Sequence, residues 1–144
     1  MKCPECGEGT LNEGMLNIQA QVRGESVPIQ FPGAECPMCG FQEIDSARMA
    51  AYGLATADAY RAKHGLLTSD ELRSRRRRLG MSQVEFANHT KASLPSIKRW
   101  ELGAIQDEAM DELIRLKTDA EAARKNLDKV GRLLEEQLNL RLEA

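Results

Sequence analysis

The sequence predicts an α+β fold: a small metal-bound β-hairpin head, then a helical connector, then an all-α region ending in a long C-terminal helix. Three observations carry this expectation. Two CxxC pairs, Cys3/Cys6 and Cys36/Cys39, lie within the first 40 residues. Between them apolar and polar residues alternate, which is the period of a half-buried strand. From about Asp45 the chain becomes rich in Ala, Leu, Glu, Lys and Arg, the residues that lose least on entering a helix.

Length and composition set the bounds. A chain of 144 residues suffices for one ordinary domain or two small ones, and its 42% hydrophobic content is that of a soluble globular protein. A head of about 40 residues buries too little surface to be stable alone, so its four cysteines should act as a staple. No signal-peptide pattern precedes Cys3, and no apolar run approaches the roughly 20 residues needed to span a membrane. The expectation is a cytoplasmic protein, a compartment in which thiols bind metal more often than they cross-link.

Residues 1–45 form the expected zinc-binding domain. The motif Cys3-Pro4-Glu5-Cys6-Gly7 recurs as Cys36-Pro37-Met38-Cys39-Gly40. Two residues between cysteines let one tight turn aim both sulfurs inward; the following Gly takes an unusual backbone conformation, and its amide can approach a thiolate. Two such knuckles complete a tetrahedron of thiolates with no open position, a structural site rather than a hydrolytic one. Between them, Leu16, Ile18, Ala20 and Val22 alternate with polar residues, as do Val27, Ile29 and Phe31, with Arg23-Gly24-Glu25 between the runs. That is a hairpin, with Pro28 on an edge strand. Zinc is the expected cofactor, one structural ion. Iron is the rival, because the doubled spacing is also similar to that of rubredoxins, which use it for electron transfer. Those proteins pack iron beneath several aromatic rings, whereas residues 1–45 offer only Phe31 and Phe41.

Residues 46–67 read as a helical connector closing at His64-Gly65. His64 and His89 are expected to be surface residues without a metal role. Residues 68–106 then read as short helices broken at Gly80 and near Lys91 and ending at Gly103. Leu72, Leu79, Val84, Phe86, Ala87, Ile97 and Trp100 supply the expected core, and Ser82 and Ser93 the N-caps of the second and third helices. Charge singles this segment out. Residues 68–106 carry eight basic and four acidic groups, whereas residues 1–45 carry two against seven and residues 107–144 seven against ten. A basic segment inside an acidic protein points to one dedicated nucleic-acid face.

Through Leu79-Gly80-Met81-Ser82-Gln83, Phe86-Ala87 and Ser96-Ile97-Lys98-Arg99-Trp100-Glu101-Leu102-Gly103, the segment resembles the Xre (lambda-repressor-like) helix-turn-helix family. The resemblance implies five helices with the third in the major groove, Gln83 touching the DNA backbone, and a buried ion pair between Arg76 and Glu101. Base reading is then expected from Leu94, Pro95, Ser96 and Arg99, with Ser93 counted among the DNA-binding residues. Arg99 can form two parallel hydrogen bonds to guanine, and Lys98 can neutralise a phosphate. Leu94 and Pro95 stand where many relatives have polar residues and offer only apolar contact. Lys91 stands where the turn often has Gly. Of the run Arg75 to Arg78, Arg75 or Arg78 is expected near phosphate.

From Asp107 to the C-terminus only Gly131 interrupts a helical composition. Leu113, Leu116, Ala120, Ala123, Leu127, Val130 and Leu134 follow alternating spacings of three and four. The pattern predicts a coiled coil or a helical hairpin over 107–144: a long C-terminal helix that serves dimerisation, or else one that folds back on its own domain.

The whole combination, a doubled CPxCG head, a hairpin, then Tyr60-Arg61-Ala62-Lys63-His64-Gly65-Leu66-Leu67-Thr68 leading into the helix-turn-helix, resembles the MqsA (YgiT) antitoxin family over roughly residues 1–105. The resemblance implies a non-enzymatic homodimeric repressor whose zinc head neutralises a toxin protein and whose helix-turn-helix domains bind a palindromic operator of its own operon. The base-reading Arg of that family matches Arg99, but its Asn falls on Pro95, so no operator sequence carries over. The long C-terminal helix also departs from short-tailed members. A stand-alone zinc-containing transcription factor and a rubredoxin-like electron-transfer protein are the alternatives.

Overall fold

Alternating apolar residues on either side of a two-residue turn build the first element pair. In the computed structural model, which describes residues 1–144, strands β1 (Asn12–Val22) and β2 (Glu25–Glu35) pair antiparallel, with Leu16 opposite Phe31 and Ala20 opposite Val27. Arg23 and Gly24 both take positive φ, 51° and 80°, the paired left-handed geometry that matches the twist of a tight hairpin. Leu16, Ala20, Val27 and Phe31 are buried together on one face. A short third strand, β3 (Gln42–Glu43), pairs only with Ala34 and Glu35, so β2 remains open beside Pro28.

After a single 3-10 turn (Ser46–Arg48), helix α1 (Met49–Lys63) packs against the buried face of the hairpin. Phe31 meets Tyr52 edge to face, ring centroids 5.4 Å apart. Arg61, fully buried, pairs with Asp58 at 2.9 Å and donates to the carbonyl of Ala104. Asp58 in turn accepts from the backbone and hydroxyl of Ser69. These bonds draw the distant segment Leu102–Ile105 into the first compact unit, which comprises Met1–Ser69 with Leu102–Ile105. The division into a head of 1–45 and a separate connector of 46–67 is thereby replaced: the connector helix is the hairpin's own core partner.

The second unit comprises Asp70–Glu101 and Gln106–Ala144. It is built from α2 (Ser69–Arg78), α3 (Gln83–Thr90), α4 (Leu94–Glu101), α5 (Glu108–Thr118) and α6 (Ala120–Glu143). The fold as a whole is α+β, a three-stranded antiparallel sheet followed by six helices, none long and apolar enough to cross a membrane. Leu72, Phe86, Ala87, Ile97 and Ile114 form the core of this unit. Leu79 and Val84, expected there, are 42% and 53% exposed. Leu79 lies beyond the end of α2, in the turn closed by Gly80. Val84 lies two residues from Phe86, about 200° around the helix and so on its opposite side. Thr90 and Ile114 take the buried places instead.

The region 107–144, expected as one long helix or a helical hairpin, is two helices. Asp119 has extended backbone angles (φ −128°, ψ 113°), and its carboxylate accepts the amides of Glu121 and Ala122, so it caps a new helix instead of continuing the old one. The heptad seam is divided there. Leu113 and Leu116 belong to α5, which packs against α3, while Ala120, Ala123, Leu127, Val130 and Leu134 belong to α6, which buries no residue.

Candidate metal centre and candidate nucleic-acid interface

The two cysteine knuckles have the same local geometry. The amide of Gly7 donates to the carbonyl of Cys3 and that of Gly40 to the carbonyl of Cys36, each at 2.9 Å, with both glycines left-handed. The Gly7 amide is thus spent on a carbonyl, and it is the amide of Gly9, among others, that reaches a sulfur, donating to Cys6 Sγ at 3.5 Å. Gly9 also lies against the other knuckle: a Cβ added there would sit 2.3 Å from Cys36 Sγ. The hairpin brings the knuckles together, β1 starting just after the first and β2 ending just before the second.

The four sulfurs lie within 4.8 Å of one another, with Cys3 Sγ and Cys39 Sγ 3.6 Å apart and Cys6 Sγ and Cys36 Sγ 3.7 Å apart. Disulfides would need about 2.05 Å. A tetrahedral ion with Zn–S bonds of about 2.3 Å needs sulfur–sulfur edges of about 3.8 Å, so the donor set fits a four-coordinate metal ion such as zinc. Cys3 and Cys36 are buried, and Cys39 is exposed.

Electrostatics point the same way. The amides of Gly9 and Glu8 draw the Cys6 thiol down to about 6, against the effect of burial. At Cys39 the Phe41 amide favours the thiolate, but burial and the three neighbouring thiols outweigh it and push the group up to about 12. Four thiols so close cannot all ionise by themselves; a bound cation stabilises the fully deprotonated cluster. Such a metal, when bound, supplies a cross-link between the knuckles.

In the second unit, α3 and α4 form a helix-turn-helix arrangement joined by Lys91, Ala92 and Ser93. Ser82 starts α3 with a reciprocal capping box: its hydroxyl accepts from the Glu85 amide, and Glu85 accepts from the Ser82 amide. Lys91 has φ 66°, the left-handed conformation for which Gly would be better suited. Ser93 starts α4, its hydroxyl accepting from the Ser96 amide at 3.2 Å. It thus serves first as a cap.

The arrangement leaves Pro95, Lys98 and Arg99 exposed, with Leu94 and Ser96 half-buried beside them. The Arg99 guanidinium donates a long hydrogen bond, 3.5 Å, to Ser96 Oγ. The one carboxylate of α4, Glu101, is turned inward: Arg76 Nε donates to it at 2.7 Å, and Arg76 also holds the Met81 carbonyl. Gln83, expected at the DNA backbone, donates its amide to the same carboxylate at 2.7 Å.

The arginine run is divided in its duties. Arg76 is committed to Glu101, Arg75 donates to the Thr118 hydroxyl, and Arg77 and Arg78 are exposed. Arg73, which the sequence did not single out, donates to the Glu101 carbonyl and pairs with Asp70. His64 bonds Glu25 at 2.8 Å, and His89 donates to the Lys117 carbonyl. The cluster of possible metal ligands contains neither histidine. No family model and no curated protein matches this chain.

Proposed function

We propose that this protein is a DNA-binding transcriptional regulator with a zinc-bound head, the antitoxin of a toxin–antitoxin pair that represses its own operon. The observation that carries the reading is the exposed face of α4. Lys98 and Arg99 project from the second helix of a helix-turn-helix arrangement in the only strongly basic segment of the chain, and the helix's single acid is withdrawn into an ion pair with Arg76. A positive helix face with its acid turned inward suits the major groove, where Arg99 reads guanine and Lys98 holds phosphate. Leu94, Pro95 and Ser96 complete the surface, where apolar contact to a thymine methyl is the available chemistry.

Zinc holds the head in shape for a protein partner, and two copies of the chain occupy the two halves of a palindromic operator. One such module makes a small, salt-sensitive interface, and linkage of two raises affinity through effective concentration. The same cysteine chemistry favours a reducing cytoplasm.

The test is affinity capture of the full-length protein from its native host, with the bound DNA sequenced and the bound protein identified. Recovery of the protein's own promoter together with a small protein encoded beside it is the expected result. Promoter DNA without such a protein would make the chain a stand-alone regulator, and no enriched DNA would overturn the reading.

A further inference from the structure

We propose that Lys91 is a phosphate-binding residue of the DNA interface, kept at a strained backbone position for its charge. Six glycines take positive φ in this chain, and only two other residues do, Arg23 and Lys91. A side chain in the left-handed region suffers the approach of its Cβ to the following carbonyl, and such departures gather where function requires them. Both exceptions are cations. Arg23 is used within the chain: its guanidinium donates to the Ile105 carbonyl at 3.3 Å and lies over the ring of Tyr60. Lys91 is exposed at φ 66°, ψ 13°, and its ammonium meets no carboxylate, carbonyl or ring of the chain. Glycine would hold this turn without strain, so the backbone supplies no reason for a lysine.

The other cations of the basic segment narrow the use of that charge. Arg73, Arg75 and Arg76 are spent inside the second unit, on Asp70, Thr118 and Glu101. Lys91 stands instead in the turn between α3 and α4, three residues ahead of Leu94, where the reading helix begins. An α-helix with its side chains is about 10–12 Å thick and the major groove about 12 Å wide, so a helix laid in the groove fills it. The turn leading into that helix then stands against the phosphate strand that walls the groove, Lys91 within about 10 Å of Leu94 along the chain. A compact ammonium on a flexible four-carbon stem suits a single phosphate there and carries no sequence information.

This deepens the reading above by adding a contact to the same interface, and it rests on α4 lying in the groove. Gel-shift titration of the metal-loaded full-length chain over a range of salt tests it. The probes are the protein's own promoter fragment and an unrelated duplex of equal length, and the variants are Lys91→Gly, Lys91→Asn and Lys91→Arg. Lys91→Gly should melt at or above the wild-type temperature, because it relieves the backbone. It should nevertheless bind both duplexes about five- to tenfold more weakly and lower the salt slope by about one counterion per bound chain. Lys91→Asn, uncharged but tolerant of the left-handed region, should behave as Lys91→Gly does, and Lys91→Arg should keep wild-type affinity and slope. Unchanged affinity and slope in Lys91→Gly would overturn the proposal, and so would a loss confined to the promoter fragment, which belongs to a base-reading residue. A Lys91→Gly protein that melts below the wild type would overturn it too, since the lysine would then support the fold. A wild type that binds neither duplex overturns the DNA reading and this contact with it. A wild type that binds, with variants that bind equally well, leaves that reading standing and removes Lys91 alone.

Discussion

Glu101 and Gln83 are joined by a 2.7 Å hydrogen bond on the same carboxylate that holds Arg76, so one acid at the end of α4 ties together α2, α3 and α4. The side chain of Glu101 is 6% exposed and that of Arg76 14%. Removing one partner from such a pair leaves a charge both buried and unanswered, whereas removing both with apolar replacements does not. Glu101→Leu should therefore cost about 3 kcal/mol. Arg76→Met combined with Glu101→Leu should cost less than that single change. Urea denaturation monitored by the fluorescence of Trp100 checks this, and simple additivity of the single effects would contradict the account.

The same bond changes what is expected of Gln83. With its amide held by Glu101, Gln83 orients the helices first, and its replacement by Ala should lower stability along with DNA affinity. Arg99→Ala should separate the two properties: it leaves fold and metal content intact but weakens operator binding by about tenfold to a hundredfold, the value of one bidentate base contact. Unchanged affinity in a gel-shift titration would remove α4 from the reading role. Lys98→Ala should weaken all sequences alike and lower the salt dependence by about one counterion.

What the sequence made legible follows from the range of the interactions. The knuckles, the hairpin turn and the caps at Ser82 and Ser93 are local devices, written within a few residues of one another. Arg61, by contrast, reads as one more helical arginine until folding brings the Ala104 carbonyl to it across 43 residues. Gly9 reads as loop filler until the second knuckle arrives beside it. The heptad spacing ran through Asp119 because hydrophobic period is blind to a carboxylate that caps the next helix. Leu79 and Val84 have the spacing of core residues in the sequence, but α2 ends before Leu79 and the phase of α3 turns Val84 away from Phe86.

Metal loading gives the most direct check on the head. The purified chain should carry one zinc per molecule by elemental analysis and be colourless, while an iron-loaded site would be red. Cys36→Ser should lose the metal and unfold the first unit, with DNA binding by the second retained; loss of both properties together would show that the two units are not independent.

Gly9 supplies a subtler test of the same site. Since a methyl group there would stand 2.3 Å from Cys36 Sγ, Gly9→Ala must displace either the sulfur or the loop that donates to Cys6. Metal affinity should fall by roughly tenfold or more, as for other losses of support around a metal ligand. Gly14 has open space at its Cβ position and no positive φ, so Gly14→Ala is the matched control. Chelator competition on the two variants should separate them, and equal affinities would mean that the close approach of Gly9 does not matter.

Asp119 tests the division of the C-terminal region. The amides of Glu121 and Ala122, followed by Arg75 and Arg78, hold its carboxyl below the usual carboxylate range. A carboxyl depressed in the folded state stabilises that state above its unfolded pKa of about 3.9, and the contribution disappears as pH falls through the lower folded value. The start of α6 should therefore be unaffected between neutrality and about pH 5 and should fray below about pH 4. Asp119→Asn keeps an oxygen for the two amides and loses only the attraction to the arginines, whereas Asp119→Ala loses both. Hydrogen exchange at Glu121 and Ala122 should accelerate in the order wild type, Asn, Ala at neutral pH, and the wild type alone should show the acid-dependent step. If Ala120–Glu143 instead ran on continuously from α5, the Ala variant would protect those amides better than the wild type, because a strong helix former would have replaced a helix-terminating cap.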